Sequence, residues 1–130
     1  MIDFENPIFR EFYPSVSELC AEGGVRSVYT PSPSKFPSVV FREMDNFTVR
    51  QFRDSSREEQ IARVTYVFDV TAQSKAEARQ VFKAGDDKLM AMNFTRLGSP
   101  FTDDSDNPRI CRIVGRYEAD IDRNGMIYRS

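Results

Sequence analysis

The sequence has no histidine and no tryptophan among its 130 residues. The absence of histidine removes the commonest general base, the dyads and triads built on it, and most zinc sites. Carboxylates, lysine or tyrosine can still transfer protons, but no spacing in the chain favours such chemistry. We therefore expect a protein that is not an enzyme and that holds no metal or cofactor. The two cysteines, Cys20 and Cys111, lie far apart, which favours free thiols in a reducing compartment over a disulfide.

Long apolar runs are also absent, so we expect no membrane-spanning helix. The first residues lack the basic start and the apolar stretch of a signal peptide. The net charge is −2, whereas proteins that bind nucleic acid without sequence preference usually carry a clear basic excess. What the chain does contain is 40% hydrophobic residues, including eleven Phe and five Tyr, which predicts one packed domain over residues 1–130.

The first segment with helical periodicity covers residues 6–21. Its apolar residues recur every three or four positions, and Asn6 is a candidate N-cap in front of a proline. Pro14 lies inside the segment and is expected to kink or split the helix, because proline removes a backbone hydrogen bond.

The second and clearer helix is predicted over residues 74–93. Ser74 and Glu77 have the spacing of a capping box, and apolar residues line one face of the segment. Gly85 lies on that face, where glycine lowers helix propensity by about 1 kcal/mol. We interpret it as a point where the helix lies close to a sheet.

Segments with β propensity alternate with these helices. The predicted strands cover residues 25–29, 38–44, 62–71, 94–97, 110–122 and 126–129. Asn124 and Gly125 predict a tight turn between the last two strands. Asp120 and Asp122 also match the start of a calcium-binding EF-hand loop, but a strand precedes them where that motif has a helix, so we prefer the hairpin. The order predicts an α+β fold with a mostly antiparallel sheet of four to six strands and two helices packed on one face.

A polar segment at residues 45–60 separates the second and third predicted strands and predicts a long loop or protruding hairpin. Its apolar residues need burial, and Phe and Arg are enriched at the centres of protein interfaces, so an inter-subunit arm is one interpretation. The binding candidates of this arm are Phe47, Val49, Arg50, Phe52, Arg53 and Arg57. A nucleic-acid patch on the three arginines and a loop without a partner are the alternatives, since nearby carboxylates offset most of the positive charge.

Two further groups of charged residues are surface candidates. Asp103, Asp104 and Asp106 form an acidic loop, which is either simply solvated or able to bind a cation or repel phosphate. Arg112, Arg116 and Glu118 alternate along one face of the long strand at 110–122, and that face is either solvated or buried against another subunit.

Five segments of the sequence form an ordered series of motifs. They are 36–46 (FPSVVFREMDN), 64–70 (VTYVFDV), 92–96 (MNFTR), 112–119 (RIVGRYEA) and 125–129 (GMIYR). In this order they resemble the tail completion and minor capsid proteins of prophages from Gram-positive bacteria. Asn93 departs from that pattern, which usually has glycine there, and the N-terminal helix has no close match.

The resemblance implies a structural virion protein, a tail terminator or completion subunit. Such a subunit forms a ring, typically a hexamer, at the head-proximal end of the tail, stops polymerisation of the tail tube and helps to join the head. Its implied partners are copies of itself, the tail tube protein and the head–tail connector proteins, with DNA only passing through. The implied location is the phage tail or neck, after assembly in the host cytoplasm.

Two alternatives to the tail terminator stay open. One is a neck or head-completion protein on the connector side, and the other is a small nucleic-acid-binding module. In a ring, the loop carrying Asp103, Asp104 and Asp106 is the candidate for lining the lumen, because an acidic lumen would not hold DNA.

Overall fold

The computed structural model describes residues 3–20, 24–26, 37–48, 61–103 and 110–129. Within these residues the elements are, in chain order, α1 (Glu5–Ser17), β1 (Val25–Arg26), β2 (Ser38–Thr48), β3 (Ile61–Ala72), α2 (Lys75–Ala91), β4 (Thr95–Arg96), β5 (Phe101–Asp103), β6 (Cys111–Asp122) and β7 (Ile127–Tyr128). The strands form one sheet, and all pairs are antiparallel except β1 with β2. The predicted α+β class is confirmed.

Three long strands, β2, β3 and β6, form the centre of the sheet. The strands β3 and β6 pair along their whole length, from Ile61 with Asp122 to Ala72 with Cys111. The short strands β4, β5 and β7 all pair with the other side of β6. Together they act as one interrupted edge strand, which brings the sheet within the predicted width.

Both helices pack on the same face of the sheet and bury its alternate residues in a single core. In α1, the Phe12 ring stacks on Phe41 at 4.1 Å between centroids and meets Phe68 edge-on at 5.1 Å. This packing explains why α1 continues through Pro14, where we predicted a kink or break. The N-cap is Phe4, without a side-chain hydrogen bond, so the predicted cap at Asn6 is wrong. No helix in the described part of the chain has the length and apolar composition needed to cross a bilayer.

The second helix begins as predicted, since the Ser74 hydroxyl accepts a hydrogen bond from the Glu77 N–H at 3.1 Å. Gly85 confirms the predicted close approach: a Cβ at this position would overlap the Phe68 ring. The helix and the sheet also approach closely at Gly115 of β6, where an added Cβ would be 2.8 Å from Cζ of Phe82 in α2. The two glycines therefore let α2 and the sheet approach closely, each making room for an aromatic ring of the other element.

Asn93 ends α2 in a left-handed conformation, with φ of 70°. This conformation favours glycine, although asparagine tolerates it better than other side chains do. The Asn93 amide donates a hydrogen bond to the Ile127 carbonyl at 3.1 Å. Asparagine thus makes the turn and also ties the helix end to β7, which glycine cannot do.

Two strand boundaries differ from the prediction. The strand β2 continues to Thr48 instead of ending at Met44, because a bulge between Glu43 and Asp45 shifts the alternation that the sequence pattern relies on. The strand β5 was not predicted at all, and it places the backbone of Asp103 opposite Arg112 in place of a loop. Strands of three residues have too short a pattern to be recognised.

The last turn and the two thiols agree with the predictions. Gly125 has φ of 85°, and the Asp122 carboxylate accepts hydrogen bonds from the N–H groups of Asn124 and Met126, both at 2.9 Å. The Asp122 carboxylate, which resembled a calcium ligand in the sequence, therefore stabilises the β turn. Cys20 and Cys111 are buried free thiols, and burial raises the pKa of Cys20 to about 11.

The contact between α2 and the sheet gives a stability prediction. Gly85→Ala should lower the free energy of unfolding by about 1–3 kcal/mol because of overpacking, although alanine favours a helix. Chemical denaturation measures this change. Phe68→Leu in the Gly85→Ala background should recover part of the loss, and an increase in stability from Gly85→Ala alone would contradict the close contact.

Candidate assembly surface

The helices cover one face of the sheet and leave the other, which we call the helix-free face, without a described helix. Cross-strand partners share a face, so the pairing of β2, β3 and β6 determines its composition. Its residues in these strands include Arg42, Asp45, Phe47, Arg63, Thr65, Val67, Asp69, Arg112, Val114, Arg116, Glu118 and Asp120. The helix-free face is therefore mainly charged, in contrast to the aromatic core behind it.

The charges of this face are paired across strands. Asp69 is only 5% exposed, and its carboxylate accepts hydrogen bonds from Arg112 at 2.6, 3.0 and 3.1 Å. Arg63 donates to both carboxylate oxygens of Asp120, at 2.8 and 3.2 Å. The hydrogen bond to Asp120 raises the pKa of Arg63. These bidentate pairs fix the positions of long side chains that would otherwise be mobile.

One row of cross-strand neighbours carries an aromatic ring at each end. Phe47 pairs with Arg63, Arg63 with Asp120, and Asp120 with Tyr128. Phe47 and Tyr128 are 47% and 46% exposed, and the Tyr128 hydroxyl donates to Asp122 at 3.0 Å. The row, which we call the aromatic row, thus joins an ion pair in the middle of the sheet to exposed aromatic rings near its two edges.

Four exposed apolar side chains lie near the two ends of this row. Among the described residues the large exposed hydrophobics are Tyr13, Met44, Phe47, Leu97, Met126 and Tyr128. Met44 accompanies Phe47 on β2, and Met126 lies just before Tyr128 on the other side. Grouped apolar residues with a polar surround are typical of protein interaction sites.

The structure separates the predicted arm into a described and an undescribed part. Phe47 is in β2 and not in a loop, while Val49, Arg50, Phe52, Arg53 and Arg57 lie outside the described residues. The strands on either side meet, since Thr48 pairs with Ala62. The role of the arm therefore stays a prediction.

The two other predicted groups have different outcomes. Asp103 belongs to β5, and Asp104 and Asp106 lie outside the described residues. Arg112, Arg116 and Glu118 do share one face, but the first binds Asp69 and Glu118 lies 3.9 Å from Arg63. Only Arg116 among these three is exposed.

A basic groove between α2 and the edge of β6 was not predicted. It has a volume of about 370 Å³ and is lined in part by Arg79, Lys83 and Arg96. At its base Asp86 accepts hydrogen bonds from Arg96 at 3.0 Å and from the Tyr117 hydroxyl at 2.6 Å. Burial, and next the hydrogen bond to Asp86, raises the pKa of Tyr117. The only hint of this groove in the sequence is the i, i+4 spacing of Arg79 and Lys83, which places both cations on one side of α2.

No protein-family model and no curated protein matches this chain. The function must therefore be argued from the residues and from the geometry of the helix-free face.

The ion pair of the nearly buried Asp69 gives a prediction. Arg112→Met should lower the free energy of unfolding by about 2 kcal/mol or more, because it leaves a desolvated carboxylate without its main partner. Arg116→Met, on the same strand and face but exposed, is the matched control and should change stability by less than about 0.5 kcal/mol. Urea denaturation of both variants compares them, and equal effects would contradict the importance of the pair.

Proposed function

We propose that this chain is a structural subunit of a tailed-phage particle, which forms a ring at the head-proximal end of the tail. As a tail terminator or completion protein, the ring, most often a hexamer in such proteins, stops polymerisation of the tail tube and helps to join the head. Its partners are copies of itself, the tail tube protein and the head–tail connector proteins. It acts within the virion, after assembly in the host cytoplasm.

The observation that carries this proposal is the aromatic row with its exposed ends. A ring needs a heterologous interface, in which two different patches of one subunit meet the complementary patches of its neighbours. Phe47 and Tyr128 lie on opposite sides of the β3–β6 pair, so the chain presents two such patches. The ordered resemblance of five segments to tail completion proteins supports the same reading.

The chemistry of the two patches suits a stable contact. Aromatic and methionine side chains supply buried area at interface centres, and the Arg63–Asp120 pair between the patches adds a polar element that restricts orientation. A stable contact buries about 1,000 Å² of accessible surface in total. Two short edges with one aromatic ring each bury less than this. The arm residues Val49 and Phe52 are proposed to add the rest.

Passage of DNA places a further demand on such a ring. A lumen of neutral or negative charge does not hold the phosphate backbone, whereas a basic lumen would. The net charge of −2 is compatible with this demand. The segment with Asp103, Asp104 and Asp106 stays our candidate for the lumen.

Truncation of the exposed rings tests the ring. Phe47→Ser and Tyr128→Ser together should weaken self-association by about 700-fold, since interface anchors contribute roughly 2 kcal/mol each. The thermal midpoint should change little, because both rings are already about half exposed. Light scattering coupled to gel filtration measures the mass in solution.

The matched control is Tyr13→Ser, which removes an exposed ring of similar exposure from α1. It should leave the mass unchanged. A wild-type protein that is monomeric at high concentration, both alone and in tail extracts, would contradict the proposal.

Tail length separates the terminator from a neck protein. Phage that lack this protein should make over-long or variable tails if it is the terminator, because nothing stops tube growth. Normal free tails beside leaking heads would instead assign it to the connector side. Electron microscopy of lysates, with the wild-type gene supplied in trans as the control, distinguishes the two.

A further inference from the structure

Three carboxylates meet at the start of α1, two from its N-terminal end and one from a distant part of the sequence. One oxygen from each of Asp3, Glu5 and Glu43 lies within 4.8 Å of the others. Asp3 lies just before the N-cap Phe4, Glu5 is the first residue of α1, and Glu43 comes from β2. Groups of like charge at this separation repel one another strongly unless a cation or a proton compensates.

The local structure of β2 directs Glu43 into this group. Glu43 pairs with Tyr66 across the strands and therefore faces the helices, directly before the bulge that shifts the register at Asp45. The Asn46 amide donates to the Glu43 carboxylate at 3.1 Å and restricts its orientation. A helix N-terminus alone explains acidic side chains on α1, because they interact well with its dipole, but it does not explain a third carboxylate from the sheet.

The neighbour of Glu43 provides an independent observation. Tyr66 is 1% exposed, and its hydroxyl has no hydrogen-bond partner among the residues that the structure describes. Its ring is fixed between Phe41, at 4.8 Å, and Phe94, at 5.6 Å. Burial raises the pKa of Tyr66, and the negative charges of Glu43, Glu5 and Asp3 raise it further, so the hydroxyl lies within the field of the three carboxylates.

A buried hydroxyl without a partner is unusual in a folded protein and calls for a missing ligand or water. We propose that these three carboxylates bind one hard divalent cation, calcium or magnesium, and that the Tyr66 hydroxyl donates its hydrogen bond to a water bound to that cation. Carboxylate oxygens are the ligands that both ions prefer, and both retain water when the protein supplies few ligands. The cation would tie the first turn of α1 to β2.

Terbium is a suitable probe, because it occupies calcium sites and emits when a nearby tyrosine is excited. Wild-type protein should give saturable terbium luminescence that calcium displaces, with a calcium dissociation constant of about 0.1–1 mM. Glu43→Gln should weaken calcium binding, measured by calorimetry, by at least about tenfold. Tyr66→Phe should lose most of the luminescence and weaken binding less than Glu43→Gln does.

Two control variants make the test specific. Asp87→Asn removes an exposed carboxylate from α2 and should leave calcium binding unchanged. Tyr128→Phe should keep the luminescence, which excludes the acidic hairpin at Asp122 as the source. Because Tyr66→Phe removes an unsatisfied hydroxyl, it should be neutral or stabilising without divalent cations and lose that advantage when calcium is added.

The inference is overturned if calorimetry detects no binding of calcium or magnesium up to about 10 mM, ten times the weakest affinity expected for such sites. Equal terbium signals from wild type and Glu43→Gln would also overturn it, since the ion would then sit elsewhere.

Discussion

The register of β3 against β6 determines the face on which each side chain of the central sheet lies. The two strands pair at twelve successive positions without a bulge. A slip of one residue that leaves β6 in place would turn Phe68 away from the helices and move Asp69 into the core. The aromatic core on one face and the Asp69–Arg112 pair on the other therefore select the same register, and both the core and the candidate assembly surface depend on it.

The helices complete the division of the sheet into two functional faces. Gly85 of α2 makes room for the Phe68 ring of β3, and Gly115 of β6 makes room for the Phe82 ring of α2; the two rings stack at 5.1 Å. Together with α1, this packing uses the helix-covered face for the chain's own core. We propose that another copy packs on the helix-free face and the sheet edges, where the exposed rings of Phe47 and Tyr128 lie.

Sequence patterns predicted the parts of the fold with strong periodicity, such as β3 and α2, and predicted the close approach at Gly85. They missed the end of β2, because the bulge after Glu43 interrupts the alternation, and they missed β5, because three residues carry too little pattern. The acidic group was also missed, since Glu43 meets the first turn of α1 only through tertiary packing. The aromatic row could not be predicted, because it depends on the pairing register of β2, β3, β6 and β7, which a single sequence does not reveal.

In the proposed ring, Phe47 of one copy lies near Tyr128 of the next. A variant with Phe47→Cys and Tyr128→Cys in one chain tests it most directly, because the native Cys20 and Cys111 are buried. A short thiol cross-linker should convert this variant into a ladder of multimers that ends at one closed species, while each single variant stays monomeric on a denaturing gel. Dimers from Phe47→Cys alone, or no multimers from the double variant, would contradict the account.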